Sequence, residues 1–316
     1  MSKNDYWDLA NRPHTKLKLE IYKKYLDSWC SIFLNRKYYE EVFIVDCFAG
    51  RGEYGGKGGQ ADGSPLIAIK AARKFQNDFN NKNIKNKKDF KIKCRFIDEN
   101  KKYCISLKKL LSVYINNVDF KIINDDFNYA IKDVLKEIGY KPVLFFIDPH
   151  GIKSLKKESV LSIVNKPGAK DILLNYINEG VVRIAGLAKK CMCKKVEDMT
   201  LKEIKTITNL TDFIGDECLD IIDSSDIEFL RYYVENILKS NNENVNPKNK
   251  LDVIAFNMPY PNKSDTIYYL LFASRNKTAI KIVSQVYSKS KESNLKGQKS
   301  LFGPKEQLKL HNNFKI

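Results

Sequence analysis

Residues 41–52 read EVFIVDCFAGRG, and this stretch decides the fold. Its first seven residues form a short, β-rich apolar run that ends beside an acidic residue and leads into a glycine-rich segment at 50–63. The dipeptide Ser64-Pro65 then supplies a helix N-cap and a proline for the first helical position. The sequence therefore predicts one complete strand–loop–helix unit.

The alternation of strand and helix continues up to residue 176. Apolar residues that recur at three- and four-residue spacing predict amphipathic helices at 14–33, 66–75, 101–114 and 129–138. Four further apolar runs are predicted strands, at 91–98, 120–124, 142–148 and 171–176. This alternation favours a parallel sheet with helices on both of its faces.

The last part of the chain predicts a different connection. Two strands at 251–258 and 266–274 are joined by a segment short enough for an antiparallel pair, and a helix is predicted at 279–287. Five parallel strands followed by a hairpin that adds a reversed strand are the topology of class I methyltransferases, whereas nicotinamide-binding domains end in a sixth parallel strand. We therefore expect an α/β fold with a doubly wound, mostly parallel, seven-stranded Rossmann-like methyltransferase sheet.

The expected domain organisation follows from these patterns. Residues 1–179 and 249–290 would form the Rossmann-like methyltransferase domain. The charged, helical pattern of residues 180–248 predicts a helical insertion, and residues 291–316 read as a polar C-terminal tail.

Composition narrows the functional classes. The formal net charge of +17 predicts a positive surface that attracts polyanions, with nucleic acid as the first candidate. Because only eight of the 55 basic residues are Arg, an A·T-rich genome is the alternative explanation of the lysine excess. The only close cysteine pair is Cys191 and Cys193, and since no CxxC is present, no metal site is predicted. No apolar run approaches the roughly 20 residues of a membrane helix, and the start lacks a signal core, so we expect a cytoplasmic protein.

The acidic strand ends are expected to converge on one site. In a doubly wound sheet the ligand binds outside the carboxyl ends of the strands, where the strand order reverses. The loop that follows the first strand resembles the S-adenosyl-L-methionine (SAM) binding loop of methyltransferases, in which glycines let the backbone approach the ligand. A plain structural turn is the alternative interpretation. SAM is thus the expected cofactor, with Asp46 facing its methionine amine, and the predicted contacts in this loop are Asp46, Phe48, Ala49, Gly50 and Gly52.

Two later strand ends complete the predicted cofactor site. Asp98 is placed to accept hydrogen bonds from both ribose hydroxyls, with its neighbour Glu99 as the alternative. Asp126 would accept from the adenine amine, and Phe127 would donate its backbone N–H to the ring. Either aspartate alone also fits a helix N-cap or a solvated loop residue.

The end of the fourth strand carries the predicted chemistry, with Asp148, Pro149 and His150 as the catalytic residues. Amine methyltransferases hold the acceptor nitrogen at this position. The carboxylate and the following carbonyls would accept the N–H groups of an exocyclic NH2 and leave its lone pair facing the methyl group. His150 would stack on the base or act as a general base, unless it is a simple loop histidine. The predicted substrate contacts are Arg51, Gly151 and Asn175.

The motif Asp148-Pro149-His150-Gly151 resembles two enzyme families in part. DNA adenine methyltransferases have Asp/Asn-Pro-Pro followed by an aromatic residue, and tRNA guanine methyltransferases have Asp-Pro-Phe/Tyr-Gly. The departure from the first pattern places adenine specificity in question.

Several stretches together resemble the three-Cys-motif partner proteins, called TcmP. They are residues 14–16 with 18–20, 46–52, 63–68, 146–151 and 268–274. In that family an aromatic residue follows Asp-Pro where this chain has His150, and a Glu follows the second strand where this chain has Asp98. The resemblance implies a methyltransferase-like fold, a bacterial or phage setting and a neighbouring three-Cys-motif protein that resembles radical-SAM enzymes; it supplies no reaction.

Two functional hypotheses follow. The first is a SAM-dependent N-methyltransferase that acts on an exocyclic base amine of DNA or RNA, in a bacterial defence or mobile-element setting. The second is a non-catalytic, SAM-fold, nucleic-acid-binding partner subunit of a three-Cys-motif protein or effector complex.

Overall fold

A computed structural model describes residues 13–36, 38–55, 61–82, 90–239, 250–259 and 266–295. The strands, in chain order, are β1 (Glu41–Asp46), β2 (Glu53–Tyr54), β3 (Ala61–Asp62), β4 (Lys91–Ile97), β5 (Asp119–Ile123), β6 (Val143–Ile147), β7 (Lys170–Tyr176), β8 (Asp252–Pro259) and β9 (Thr266–Ser274). The helices are α1 (Pro13–Leu34), α2 (Ser64–Lys82), α3 (Lys101–Leu111), α4 (Phe127–Ile138), α5 (Lys157–Val164), α6 (Asn178–Met192), α7 (Leu201–Ile214), α8 (Asp226–Tyr233) and α9 (Lys277–Leu295).

Seven of these strands form one sheet in the order β5-β4-β1-β6-β7-β9-β8. The pairs β5–β4, β4–β1, β1–β6 and β6–β7 are parallel, whereas β9 runs antiparallel to both β7 and β8. The doubly wound, mostly parallel seven-stranded sheet with a C-terminal antiparallel hairpin is therefore confirmed. Its order reverses beside β1, since the chain first builds outward through β4 and β5 and then returns to add β6 on the other side.

Period-two alternation along the strands gives the sheet two apolar faces. In β1, Val42 and Ile44 join one buried cluster with α1, α2, α3 and α9, and Phe43 and Val45 join the other with α4 to α8. Successive side chains of a strand point to opposite faces, so a strand buried on both sides must be apolar throughout. The continuous runs of β1 and β6 meet that requirement.

The helical segment after β7 shares the core of the sheet. Its buried side chains Leu210, Phe213 and Phe229 belong to the same cluster as Leu174 of β7. The segment begins with α6 at Asn178, two residues before the expected boundary at 180, and residues 240–249 lie outside the described residues.

Two expectations about loops differ from the structure. The glycine-rich segment contains the short antiparallel pair of β2 and β3. The expected polar tail from 291 begins as the end of α9, which continues to Leu295, and the tail beyond it lies outside the described residues. Among the described residues, no helix combines the length and the apolar character that crossing a membrane requires.

Candidate active site

The four aspartates lie at one edge of the sheet. Asp46 ends β1, and Asp98, Asp126 and Asp148 follow β4, β5 and β6 by one to three residues. Because these four strands are parallel, their carboxyl ends meet at the same edge, as the sequence predicts. They do not open into one shared cleft, however, since Asp46 is completely buried.

Backbone hydrogen bonds fix the loop after β1. The N–H of Ala49 donates to the carbonyl of Ile97 at 2.8 Å, and the N–H of Gly50 donates to Oδ2 of Asp98 at 2.8 Å. Gly50 has a φ of 64°, in the left-handed region that glycine tolerates best. The loop is therefore held against β4 by its own backbone.

Asp46 is a buried acid with an unsatisfied oxygen. Its Oδ1 accepts the N–H of Phe48 at 3.3 Å, and its Oδ2 is buried without a hydrogen-bond partner. Burial is the main cause that raises the pKa of Asp46 to about 7, and the negative charges of Asp148 and Asp98 also raise it. Hydrogen bonding to the Ser64 side chain and to the Phe48 N–H acts in the opposite direction. A buried oxygen without a hydrogen-bond partner is uncommon and is a candidate acceptor for a donor group of a ligand.

Gly52, a predicted cofactor contact, and Arg51, a predicted substrate contact, both interact with other parts of the protein. Gly52 has a φ of 90°, and a Cβ at this position would lie 2.6 Å from the side chain of Leu107. Its carbonyl accepts the N–H of Gly63 at 2.8 Å. The Nε of Arg51 donates to the carbonyl of Glu53 at 3.0 Å. Packing against α3 and the β2–β3 pair thus explains why residue 52 is glycine.

Asp98 and Asp126 line a small cavity at this edge. Asp98 accepts N–H groups from Gly50 and Asn100 at 2.8 Å each, one on each oxygen. Each carboxylate oxygen has a second lone pair, so Asp98 keeps acceptor capacity for a ribose. The alternative, Glu99, is exposed and lines the same cavity. Asp126 is the N-cap of α4 and accepts the N–H of Asn128 at 2.7 Å.

The cavity has a volume of about 40 Å3. The ring of Phe48 lies 5.1 Å from that of Phe127, centroid to centroid, and both residues line the space with His150 and Ser154. Ligand pockets commonly occupy about 300–1,000 Å3. An adenosine would therefore enter only if Phe48, Glu99 or His150 moved outward.

Asp148 is held from both sides. Its Oδ2 forms an ion pair with the buried Lys18 of α1, and its Oδ1 accepts the Nδ2 of Asn175 from β7 at 2.8 Å. The Oδ1 of Asn175 is buried and has no hydrogen-bond partner. Asn175 thus lies beside Asp148 and keeps one acceptor without a partner, and its role as a substrate contact stays a prediction.

His150 connects the small cavity with a larger one. It is exposed, and with Ser154 it lines both the 40 Å3 cavity and a second cavity of about 480 Å3. The larger cavity lies between the loop after β6 and the start of α6, with Gly151, Lys153 and Arg183 in its wall. Pro149 is buried below this loop. Asp148, Pro149, His150, Gly151 and Asn175 therefore lie together, while Arg51 lies beside the β2–β3 pair.

Sequence reasoning gave no site role to Lys18 and Tyr22. Tyr22 stacks on Phe146 at 4.3 Å between ring centroids, and its buried hydroxyl has no hydrogen-bond partner. The sequence contained a signal for this contact, because Lys18 continues the three- and four-residue spacing of the buried Tyr22, Tyr25 and Trp29 and so lies on the same face of α1. A lysine on an apolar helix face predicts a buried partner.

Comparisons with known proteins give only distant similarities. No family model matches the chain, and no curated protein matches it. The protein LPL1258 from Legionella pneumophila is 12% identical, with a TM-score of 0.47, over 90% of this chain and 93% of that one. A protein described as an rRNA-methylase from Clostridium thermocellum is 13% identical (TM-score 0.31; 78% and 95% covered), and the DszA carbon methyltransferase is 11% identical (TM-score 0.36; 85% and 67% covered).

Proposed function

We propose that this protein is a SAM-dependent N-methyltransferase that acts on an exocyclic base amine of nucleic acid. The observation that carries the proposal is the Asp148–Asn175 pair, which lies where the strand order reverses and one strand away from the buried Asp46. An acceptor-rich site at this point of a doubly wound sheet suits an N–H substrate beside a cationic cofactor.

The acceptor groups at this edge match the donor groups of the cofactor, and its adenosine would bind after Phe48, Glu99 or His150 moves outward. The unsatisfied Oδ2 of Asp46 would accept the methionine amine, Asp98 or Glu99 the ribose hydroxyls, and Asp126 the adenine amine, with Phe127 beside the ring. When bound, SAM supplies an electrophilic methyl group. Asp148 and the carbonyl of Pro149 would accept the N–H groups of the substrate amine and orient its lone pair. The proton that the amine loses on methylation would leave through Asp148 to solvent.

The 480 Å3 cavity supports the choice of substrate class. His150 would stack on a base, and the side chains of Lys153 and Arg183 lie where they can contact phosphates. The formal net charge of +17 favours a polyanionic partner. Because several sequence motifs resemble those of TcmP proteins, we also propose that a three-Cys-motif protein is a partner, in a bacterial defence or mobile-element setting.

The non-catalytic hypothesis is favoured by two observations of its own. Lys18 forms an ion pair with Asp148, the predicted catalytic carboxylate, and the cavity predicted for the cofactor has a volume of only about 40 Å3. A subunit that binds nucleic acid without methylating it would keep this arrangement.

Two measurements separate these functions. Calorimetry with S-adenosylhomocysteine should detect binding to the wild type and weaker binding to Asp98→Ala. Methyl transfer from tritiated SAM to total RNA and DNA should be lost in Asp148→Asn and kept in Asp133→Asn, an exposed matched control. Absence of both binding and transfer in the wild type would reject the enzyme and leave the partner subunit.

A further inference from the structure

A third cavity, separate from the two around His150, lies at the opposite edge of the sheet. Its volume is about 520 Å3, within the common range of ligand pockets. It is built from the end of α1, the starts of β6 and β7, the end of β9 and the start of α9. Since these are the amino ends of the parallel strands, the cavity is separate from the site around Asp148.

Cations concentrate at one side of this cavity. Lys170 and Arg275 line it, and Lys166 lies beside them. Lys170 donates a hydrogen bond to the carbonyl of Lys166, Lys166 donates to the carbonyls of Lys141 and Pro167, and Arg275 donates to that of Gly168. Burial and the charge of Arg275 lower the pKa of Lys170 to about 7 and that of Lys166 to about 8. Three basic side chains therefore lie near one another at this side of the cavity.

The one carboxylate of the cavity wall is engaged elsewhere. Asp171 is buried and accepts the hydroxyl of Tyr25 at 2.7 Å. Burial raises the pKa of Asp171, while hydrogen bonds from Ser274, Tyr25 and Trp29 lower it. The anionic group of a ligand would form charge-assisted hydrogen bonds with Lys170 and Arg275.

The opposite side of the cavity is aromatic. Phe33 lies 4.7 Å from Trp29 and 5.4 Å from Tyr39 between ring centroids, and all three residues line the space. Arg36, also in the wall, is exposed at the entrance. A planar ring can stack on such a surface while its anionic group reaches the cations.

We propose that this cavity binds a nucleoside phosphate, with the base on the Phe33–Tyr39 side and the phosphate at Lys170 and Arg275. The ligand is either a free nucleotide or the 5′-phosphate end of a nucleic acid, which have the same chemistry. The site is independent of the proposed methyl transfer, because it lies at the other edge of the sheet.

Calorimetry on the full chain tests the site. The probes are guanosine monophosphate, guanosine, inorganic phosphate, and a decanucleotide with or without a 5′-phosphate. Guanine compounds are used because the cofactor proposed for the other site contains adenosine. We expect guanosine monophosphate to bind at least about tenfold more tightly than guanosine. Lys170→Met, which keeps the side-chain length, should weaken it about tenfold or more. Arg36→Gln, an exposed change that leaves the core intact, should weaken it about threefold.

Lys136→Met, an exposed lysine on α4, is the matched control and should leave binding unchanged. A free nucleotide as ligand predicts that the phosphorylated decanucleotide binds no better than guanosine monophosphate, whereas a nucleic-acid end predicts that it binds better. Equal binding of both decanucleotides with no effect of Lys170→Met or Arg36→Gln would overturn the proposal. So would the absence of guanosine monophosphate binding at millimolar concentration.

Discussion

The buried Asp46 makes a prediction about the pH dependence of stability. Its pKa rises from an ordinary 3.8 to about 7 in the folded protein because burial disfavours its ionised form. Below pH 3.8 the group is protonated in both states and has no effect. Between pH 3.8 and 7 only the unfolded state releases the proton, so folding becomes progressively less favourable as the pH rises. Above pH 7 the effect is complete, at about 4 kcal/mol if each pH unit contributes about 1.4 kcal/mol.

The substitution Asp46→Asn removes this ionisation and keeps an oxygen for the Phe48 N–H. Its own packing effect is independent of pH. The stability of Asp46→Asn relative to the wild type should therefore rise by about 3 kcal/mol between pH 4.5 and pH 8. Urea denaturation followed by circular dichroism at several pH values measures this difference. Asp133→Asn, whose carboxylate is exposed, is the control and should give a flat profile. A difference for Asp46→Asn that stays within about 1 kcal/mol across this range would refute the reasoning.

Three further predictions concern the same edge of the sheet. If Asp46 receives the methionine amine, affinity for S-adenosylhomocysteine should increase with pH up to about 7, where Asp46 ionises, and calorimetry should find no such slope in Asp46→Asn. A double-mutant cycle of Lys18→Met and Asp148→Asn in urea should give a coupling energy of about 1–3 kcal/mol, and a value below about 0.5 kcal/mol would show that the ion pair contributes little. Gly52→Ala should destabilise the protein by about 1–3 kcal/mol because it forces a clash and a positive φ, whereas Gly186→Ala, in a helix with open space around it, should be neutral or stabilising.

The sequence predicted the sheet well because its strands are buried on both faces. Such strands must be apolar throughout, so β1 and β6 are recognisable without knowledge of their neighbours. The short helix α5 carried no such signal, since eight residues hold too few turns for a clear period. The boundary of the expected insertion also differs slightly, because α6 begins at Asn178, two residues before residue 180.

Contacts between distant segments could not be predicted in the same way. The guanidinium of Arg95 is buried in β4 and bonds Asp119 and Glu137, which lie 24 and 42 residues away. The same holds for Lys18 and Asp148, which are 130 residues apart. Local patterns give the element that a residue belongs to, whereas the choice of a charged partner depends on how the elements pack. The four aspartates were predicted together because parallel topology alone brings strand ends to one edge.

The ion pair between Lys18 and Asp148 decides how the proposed site would work. A hydrogen bond to a charged group contributes about 1.5–3 kcal/mol, and one between neutral groups about 0.5–1.5 kcal/mol. A neutral base amine can bond the second lone pairs of the Asp148 oxygens, but it cannot displace the ammonium of Lys18 by its own hydrogen bonds. The energy for that displacement must come from contacts elsewhere on the substrate, such as phosphates at Lys153 and Arg183, or from a partner that moves α1. A methyltransferase that must free Asp148 from Lys18 would thus act on polymers rather than on free nucleosides, whereas a non-catalytic partner subunit would bind nucleic acid with the ion pair intact.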